Sequence, residues 1–325
     1  MFAYRKLKNK TDAHFSARHC RFLLVFWQEK RIMKATHVYL KGFNGWGIFY
    51  SMEDCLVYFT IASVLVREMG LCVLAFCFMF NHIHTLFKDI RPAVLKRFQI
   101  RLTTYFSKEY NDNYGRSGPV FMSPYGKAVK TVMKKVISCI AYVFNNPVAG
   151  KMCEHAVDYR WTLLSYYNCR HPYSQRLIKR NSRHIMRNAY SVVDIYYKRN
   201  KHLGYAVLKR IFKGLNPIER QQLTDYIIAK YNFLNYNELI DIFGSFEKTL
   251  LVTETHAGNE YEMEDECGDH SLYQEMIKLS RKYGCEGPNY DQLTPSRIKD
   301  LKRLLSSMVR PTDYQLQNFL HLPHH

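Results

Sequence analysis

Phe76-Cys77-Phe78-Met79-Phe80-Asn81-His82-Ile83-His84-Thr85-Leu86-Phe87 is an apolar run broken by two histidines with one isoleucine between them. On a pleated strand successive side chains point to opposite faces, so His82 and His84 share a face while Ile83 points the other way, into a core. Two imidazoles converging from one strand can hold a divalent cation when a third ligand arrives from elsewhere in the fold. Taken alone, the triplet reads more simply as a pair of partly buried histidines hydrogen-bonded to backbone.

A second stretch weighs against the simpler reading. In Val136-Ile137-Ser138-Cys139-Ile140-Ala141-Tyr142-Val143-Phe144-Asn145-Asn146-Pro147-Val148 the apolar residues recur at helical spacing. Pro147 is expected to end the helix, because the residue before a proline is pushed out of the α region. Tyr142 and Asn146 stand one turn apart on one face. They present together a phenol able to attack phosphorus and an amide oxygen able to complete a metal site. A core tyrosine beside a capping asparagine is the plainer alternative for this helix taken in isolation.

Asn81-His82-Ile83-His84, followed downstream by Tyr142-Val143-Phe144-Asn145-Asn146-Pro147-Val148, resembles the REP-associated tyrosine transposases and their insertion-sequence relatives, members of the HUH superfamily of single-strand DNA nucleases. The likeness runs from Thr36 to about Tyr167 and takes in Tyr105, Asn111, Gly118, Phe121 and Asp158-Tyr159-Arg160-Trp161. It implies that His82, His84 and Asn146 bind the metal and that Tyr142 is the nucleophile. The cofactor implied is a divalent metal, Mg2+ or Mn2+, with no nucleotide cofactor. The fold implied is α+β, a ferredoxin-like antiparallel sheet with helices on one face and the metal site on its open face. Two departures stand out. Phe80 occupies a place where the family usually has proline, and Pro124 one where it usually has the arginine before a tyrosine, which puts DNA contact through the Met122–Lys127 loop in doubt.

The chain has 325 residues, 47% of them hydrophobic, which suits one or two substantial cores. Lys and Arg number 47 against 28 Asp and Glu, a formal charge of +19. Such a surplus favours a polyanionic partner, with an anionic membrane surface as the other fit. Aromatics at 15% beside that charge suit single-stranded nucleic acid, whose bases stack on rings while cations track phosphates. Nine scattered cysteines, an odd number without a CxxC pair, predict free thiols in a reducing cytoplasm, with nucleoid association following from the DNA reading. No apolar run reaches membrane-spanning length.

Residues 1–34 form a basic extension, read as a disordered arm touching DNA or as sequence upstream of the true start. Residues 35–170 are the catalytic domain, 171–202 a basic solvated linker, and 203–325 a helical C-terminal domain. The order expected in the catalytic domain is a strand from Thr36, a Gly-rich turn, a short strand at Ile48–Tyr50, a helix capped by Ser51, a strand from Leu71, the histidine strand, a basic helix from Pro92 to Tyr110, a loop from Asn111 to Gly126, and the tyrosine helix. The acidic run Glu260-Tyr261-Glu262-Met263-Glu264-Asp265-Glu266 reads as a surface loop, with an autoinhibitory mimic of DNA as the alternative. Residues 294–320 resemble a helix-turn-helix, opened by Thr294 as N-cap and Pro295 at the first helical position. Candidate DNA contacts are Arg101, Tyr105, Arg116, Lys127 and Lys130, with Lys299, Lys302 and Arg303 on the last basic helix.

These readings converge on a transposase that cleaves and rejoins single-stranded DNA through a 5′-phosphotyrosine, at hairpin-flanked sites as in the relatives, working as a monomer or homodimer. The rivals are a DNA-binding repressor or architectural protein of the same fold whose chemistry has lapsed, and an RNA-binding module. The RNA reading explains the composition but not the paired motifs.

Overall fold

The computed structural model describes residues 32–176, 182–255 and 269–323. Nearly all of the N-terminal extension and the whole acidic run lie outside them. The histidine strand is β3 (His82–Lys88), and three others join it: β1 (Ile32–Lys41), β2 (Cys72–Phe78) and β4 (Gly126–Val132). All pairings are antiparallel, in the order β2-β3-β1-β4. With helices α1 (Met52–Glu68) and α2 (Pro92–Tyr114) the chain order is β-α-β-β-α-β, an α+β arrangement. Ser51 caps α1 as expected, in a reciprocal capping box with Asp54. Helix α2 runs past Tyr110 to Gly115, whose φ of 62° suits a residue without Cβ.

Local expectations fail in three places. Ile48–Tyr50 forms no strand, because the Ile48 and Phe49 N–H groups both turn to the Phe80 carbonyl. β4, expected as loop and helix start, is an edge strand whose Lys-rich sequence carries little apolar signal; Lys127, Val129, Thr131 and Val132 are exposed. The tyrosine helix α3 (Met133–Ala149) continues through Pro147 to Ala149. Pro147 gives up the N–H that would bond the Val143 carbonyl four residues back, and the helix closes within one turn of that loss.

The expectation of helices on one face holds for α1 and α2. Tyr58 of α1 meets Phe78, and Phe98 of α2 meets Phe87, on the face that also carries Ile83. Helix α3 takes the other face and packs across all four strands, so the histidine face is covered rather than open. The cause is the amphipathic character of α3. Val136, Cys139, Ile140, Val143 and Phe144 are all buried, and the strands offer Cys77 and Leu86 beside the histidines.

The stretch expected as a solvated linker contains α4 (His184–Lys198), whose Met186, Ala189, Tyr190 and Val193 are buried. Helices α5 (Tyr205–Phe212), α6 (Pro217–Tyr231), α7 (Tyr236–Phe243) and α8 (Phe246–Thr255) share one continuous core with the sheet. A second core gathers α9 (Ser271–Lys282), α10 (Pro295–Met308) and α11 (Asp313–Leu320) around Tyr50 and Phe80. The residues expected as one helical C-terminal domain thus divide between two cores. Phe80 is central to the second, stacked on Tyr273 with ring centroids 4.2 Å apart.

Candidate metal and nucleophile site

Strand register assembles the site. Tyr39 lies opposite His84 and Lys41 opposite His82, so His37, Tyr39 and Lys41 of β1 share a face with both histidines of β3. The ring centroids of His82 and His84 are 4.9 Å apart, and both side chains are buried. His37 Nε2 hydrogen-bonds His84 Nδ1 at 3.0 Å, the two rings stacked within 19° of parallel. Gly126 of β4 lies beneath the Tyr39 ring, where a Cβ would stand 1.7 Å from Cζ; any larger residue would displace that ring.

Helix α3 supplies the rest. The Tyr142 ring stands edge-on to His84 at 5.6 Å and to His37 at 5.8 Å, and is half-buried, keeping a solvent face. One turn on, the Asn146 Nδ2 donates to the Tyr142 carbonyl at 2.9 Å, and its amide is close enough to the His82 imidazole to favour a proton there. Asn145 points elsewhere and donates to the Thr253 carbonyl, tying α3 to α8.

Burial holds the His82 pKa well below the usual histidine range, and its neighbours His270 and Lys41 push the same way. A neutral imidazole keeps a lone pair available to a cation. His82 Nδ1 pairs with Asn81 Oδ1 at 2.9 Å, while Nε2 is buried without a hydrogen bond of ordinary geometry. Among the described residues, no group of three or more His, Cys, Asp or Glu is placed to hold a metal ion. The donor set that the sequence resemblance implies adds an amide to two imidazoles: His82, His84 and Asn146. The chemistry of that mixed nitrogen and oxygen set suits Mn2+ or Mg2+.

His37, Lys41 and His270 are neighbours that the sequence reading missed. The alternation of His37-Val38-Tyr39-Leu40-Lys41 carried the first two, since it places three polar side chains on one face of a strand. His270 had no such signal. Its backbone N–H donates to the Gly150 carbonyl just after α3, and its ring lies 5.6 Å from that of His82.

The candidate DNA contacts do not gather here. Lys130 lies opposite Ala35 on the histidine face, whereas Lys127 lies opposite Val38 on the other. Arg101 and Tyr105 are on α2, behind the sheet, and Arg101 is held by Glu68 through a two-pronged ion pair at 2.6 and 2.9 Å. Arg116 donates to the Pro288 carbonyl. On α10, Lys299 and Arg303 are exposed and Lys302 is half-buried. The second helix of the expected helix-turn-helix, α11, is no free reading helix: Leu316, Asn318, Phe319 and Leu320 are buried, and the Asn318 and Phe319 carbonyls accept from Gly47 N–H and Tyr50 Oη.

No protein-family model and no curated protein matches the chain. A solved structure of a REP-associated tyrosine transposase bound to a REP hairpin is similar at 12% identity and a TM-score of 0.31, over 41% of this chain and 76% of that one. At that score the match assigns no residue a role. None of the helices among the described residues is long and apolar enough to cross a membrane.

Proposed function

We propose that this chain is a single-tyrosine nuclease and strand transferase of the HUH type, a transposase that cleaves and rejoins single-stranded DNA with a divalent metal as cofactor. One observation carries the reading: β3 and α3, distant in sequence, bring His82, His84, Asn146 and the half-exposed phenol of Tyr142 to one face of the sheet. The β-α-β-β-α-β order is that of a ferredoxin-like core, as the sequence resemblance implies.

In this reading His82, His84 and Asn146 would hold Mg2+ or Mn2+, and the chemistry supplied there would be Lewis-acid polarisation of a phosphate oxygen. Tyr142 Oη gives up its proton to solvent and attacks phosphorus in line; its bond to phosphorus forms as the P–O3′ bond breaks, and the departing 3′ oxygen takes a proton back from solvent, so none is gained or lost overall. The product is a 5′-phosphotyrosyl strand with a free 3′ hydroxyl. Because the ester keeps the energy of the broken bond, a second 3′ hydroxyl can reverse the step and join a new strand. Lys41 and Lys130, on the same face, supply cations for the backbone of the incoming strand. Recognition of a hairpin beside the cleavage site follows from the sequence resemblance.

Incubation with single-stranded oligonucleotides and Mn2+ is expected to give a covalent adduct that survives denaturation and is absent with Tyr142→Phe. DNA binding by the wild-type chain with no adduct would instead select the lapsed, DNA-binding reading. Adduct formation by the Phe variant would move the nucleophile to Tyr125, since Tyr110 is buried and Tyr105 lies behind the sheet.

A further inference from the structure

We infer that His37 is a positioning residue, the acceptor that holds His84 in its Nδ1–H tautomer and so leaves His84 Nε2 as the nitrogen to face a metal; the metal part of this rests on the function proposed above. His37 is buried at 4% exposure on β1 and shares the sheet face of both β3 histidines. Its Nε2 stands 3.0 Å from His84 Nδ1, and the rings stack with centroids 5.1 Å apart. Backbone pairing of β1 with β3 on both sides of this contact holds the distance.

Two neutral imidazoles joined through one nitrogen each admit two arrangements. If His37 Nε2 carries the proton, His84 Nδ1 accepts it and His84 Nε2 must hold its own hydrogen, which closes that nitrogen to a cation. If His84 Nδ1 carries the proton and His37 Nε2 accepts, His84 Nε2 presents a lone pair. Metal-ligating histidines typically donate their second N–H to a carboxylate, carbonyl or water that fixes the ring. Here a second imidazole fills that place. The Tyr142 ring, 5.8 Å from His37, leans on the same pair, so the ring that orients His84 also flanks the nucleophile.

The test uses the full chain in two measurements. Long-range 1H–15N spectra of the metal-free protein are expected to show His84 as the Nδ1–H tautomer. That state is expected to be lost in His37→Leu and retained in His37→Gln, whose side-chain oxygen can accept in place of Nε2. Thermal melts confirm that each variant folds. A wild-type His84 in the Nε2–H form, or one unchanged by His37→Leu, overturns the inference whatever the protein's activity. Calorimetric titration with Mn2+ gives the second readout. His37→Leu is expected to weaken binding by about 10- to 100-fold and His37→Gln by less, and equal affinity in all three overturns the inference. Failure of the wild-type chain to bind Mn2+ would sink the metal reading instead, with the tautomer spectra still deciding the role of His37.

Discussion

Lys41 is one residue past the last apolar position of β1, and its partner across the ladder is His82. Its charge reaches that ring strongly enough to oppose protonation, so it would also be felt by a phosphate arriving at the site. Lys41→Gln is expected to weaken binding of single-stranded oligonucleotides equally across sequences and to lower the slope of log K against log salt by about one. A loss confined to some sequences would contradict a phosphate role. At this scale the sequence was legible wherever alternation or helical spacing linked residues close together: His82 with His84, Tyr142 with Asn146. It was opaque wherever the partner came through strand register. Nothing in Thr36-His37-Val38 announces that β1 will lie beside β3 with Tyr39 against His84. Phe80 and Pro124 were both legible as departures from the pattern that the sequence resembles, but only Phe80 acquires a physical reason, as the anchor of the second core.

That second core ties the C-terminal helices to the turn before α1. Tyr50 Oη donates to the Phe319 carbonyl at 2.7 Å, Trp46 stacks on His321 at 4.8 Å, and Phe80 stacks on Tyr273. Phe80→Ala removes a buried ring and is expected to destabilise this core by about 3–5 kcal/mol. Hydrogen exchange should then speed up in α9, α10 and α11 while β1, β3 and α3 stay protected; a uniform rise across the sheet would show that the two cores unfold as one. Helices rich in apolar residues, α1 buried on most of its surface and α3 on one side, were read correctly in kind. β4 was missed because an edge strand facing water has little apolar alternation, and α4 because its buried Met186, Tyr190 and Val193 sit among basic and polar residues that resemble a linker. The end of α3 was misplaced because a residue before proline is disfavoured in the α region, not barred from it.

Across the whole molecule, pH acts through groups that folding strips of water. His321 Nε2 donates to the Gly47 carbonyl at 3.0 Å, and burial pushes its pKa down to about 3, with Arg116 adding to the effect. Below the ordinary histidine pKa near 6.5 the unfolded chain therefore binds a proton that the native state refuses. The stabilising contribution is present above that value and is lost as pH falls, by about 2 kcal/mol at pH 5. Asp54, buried and raised to about 6, works oppositely: its contribution fades as pH rises from about 4 to 6. His321→Asn, which keeps a residue tolerant of the left-handed φ of 57°, is expected to be less stable than wild type at pH 7 by urea unfolding, with the gap narrowing at pH 5. A gap independent of pH would contradict the assignment. The charge of +19 fits the nucleic-acid partner proposed here and leaves the chemistry to the site. The most direct test of that site is an anomalous difference map from crystals grown with Mn2+. The account predicts one strong peak bounded by His82, His84 and Asn146, beside the Tyr142 phenol; a peak at other residues, or none at saturating metal, would contradict it.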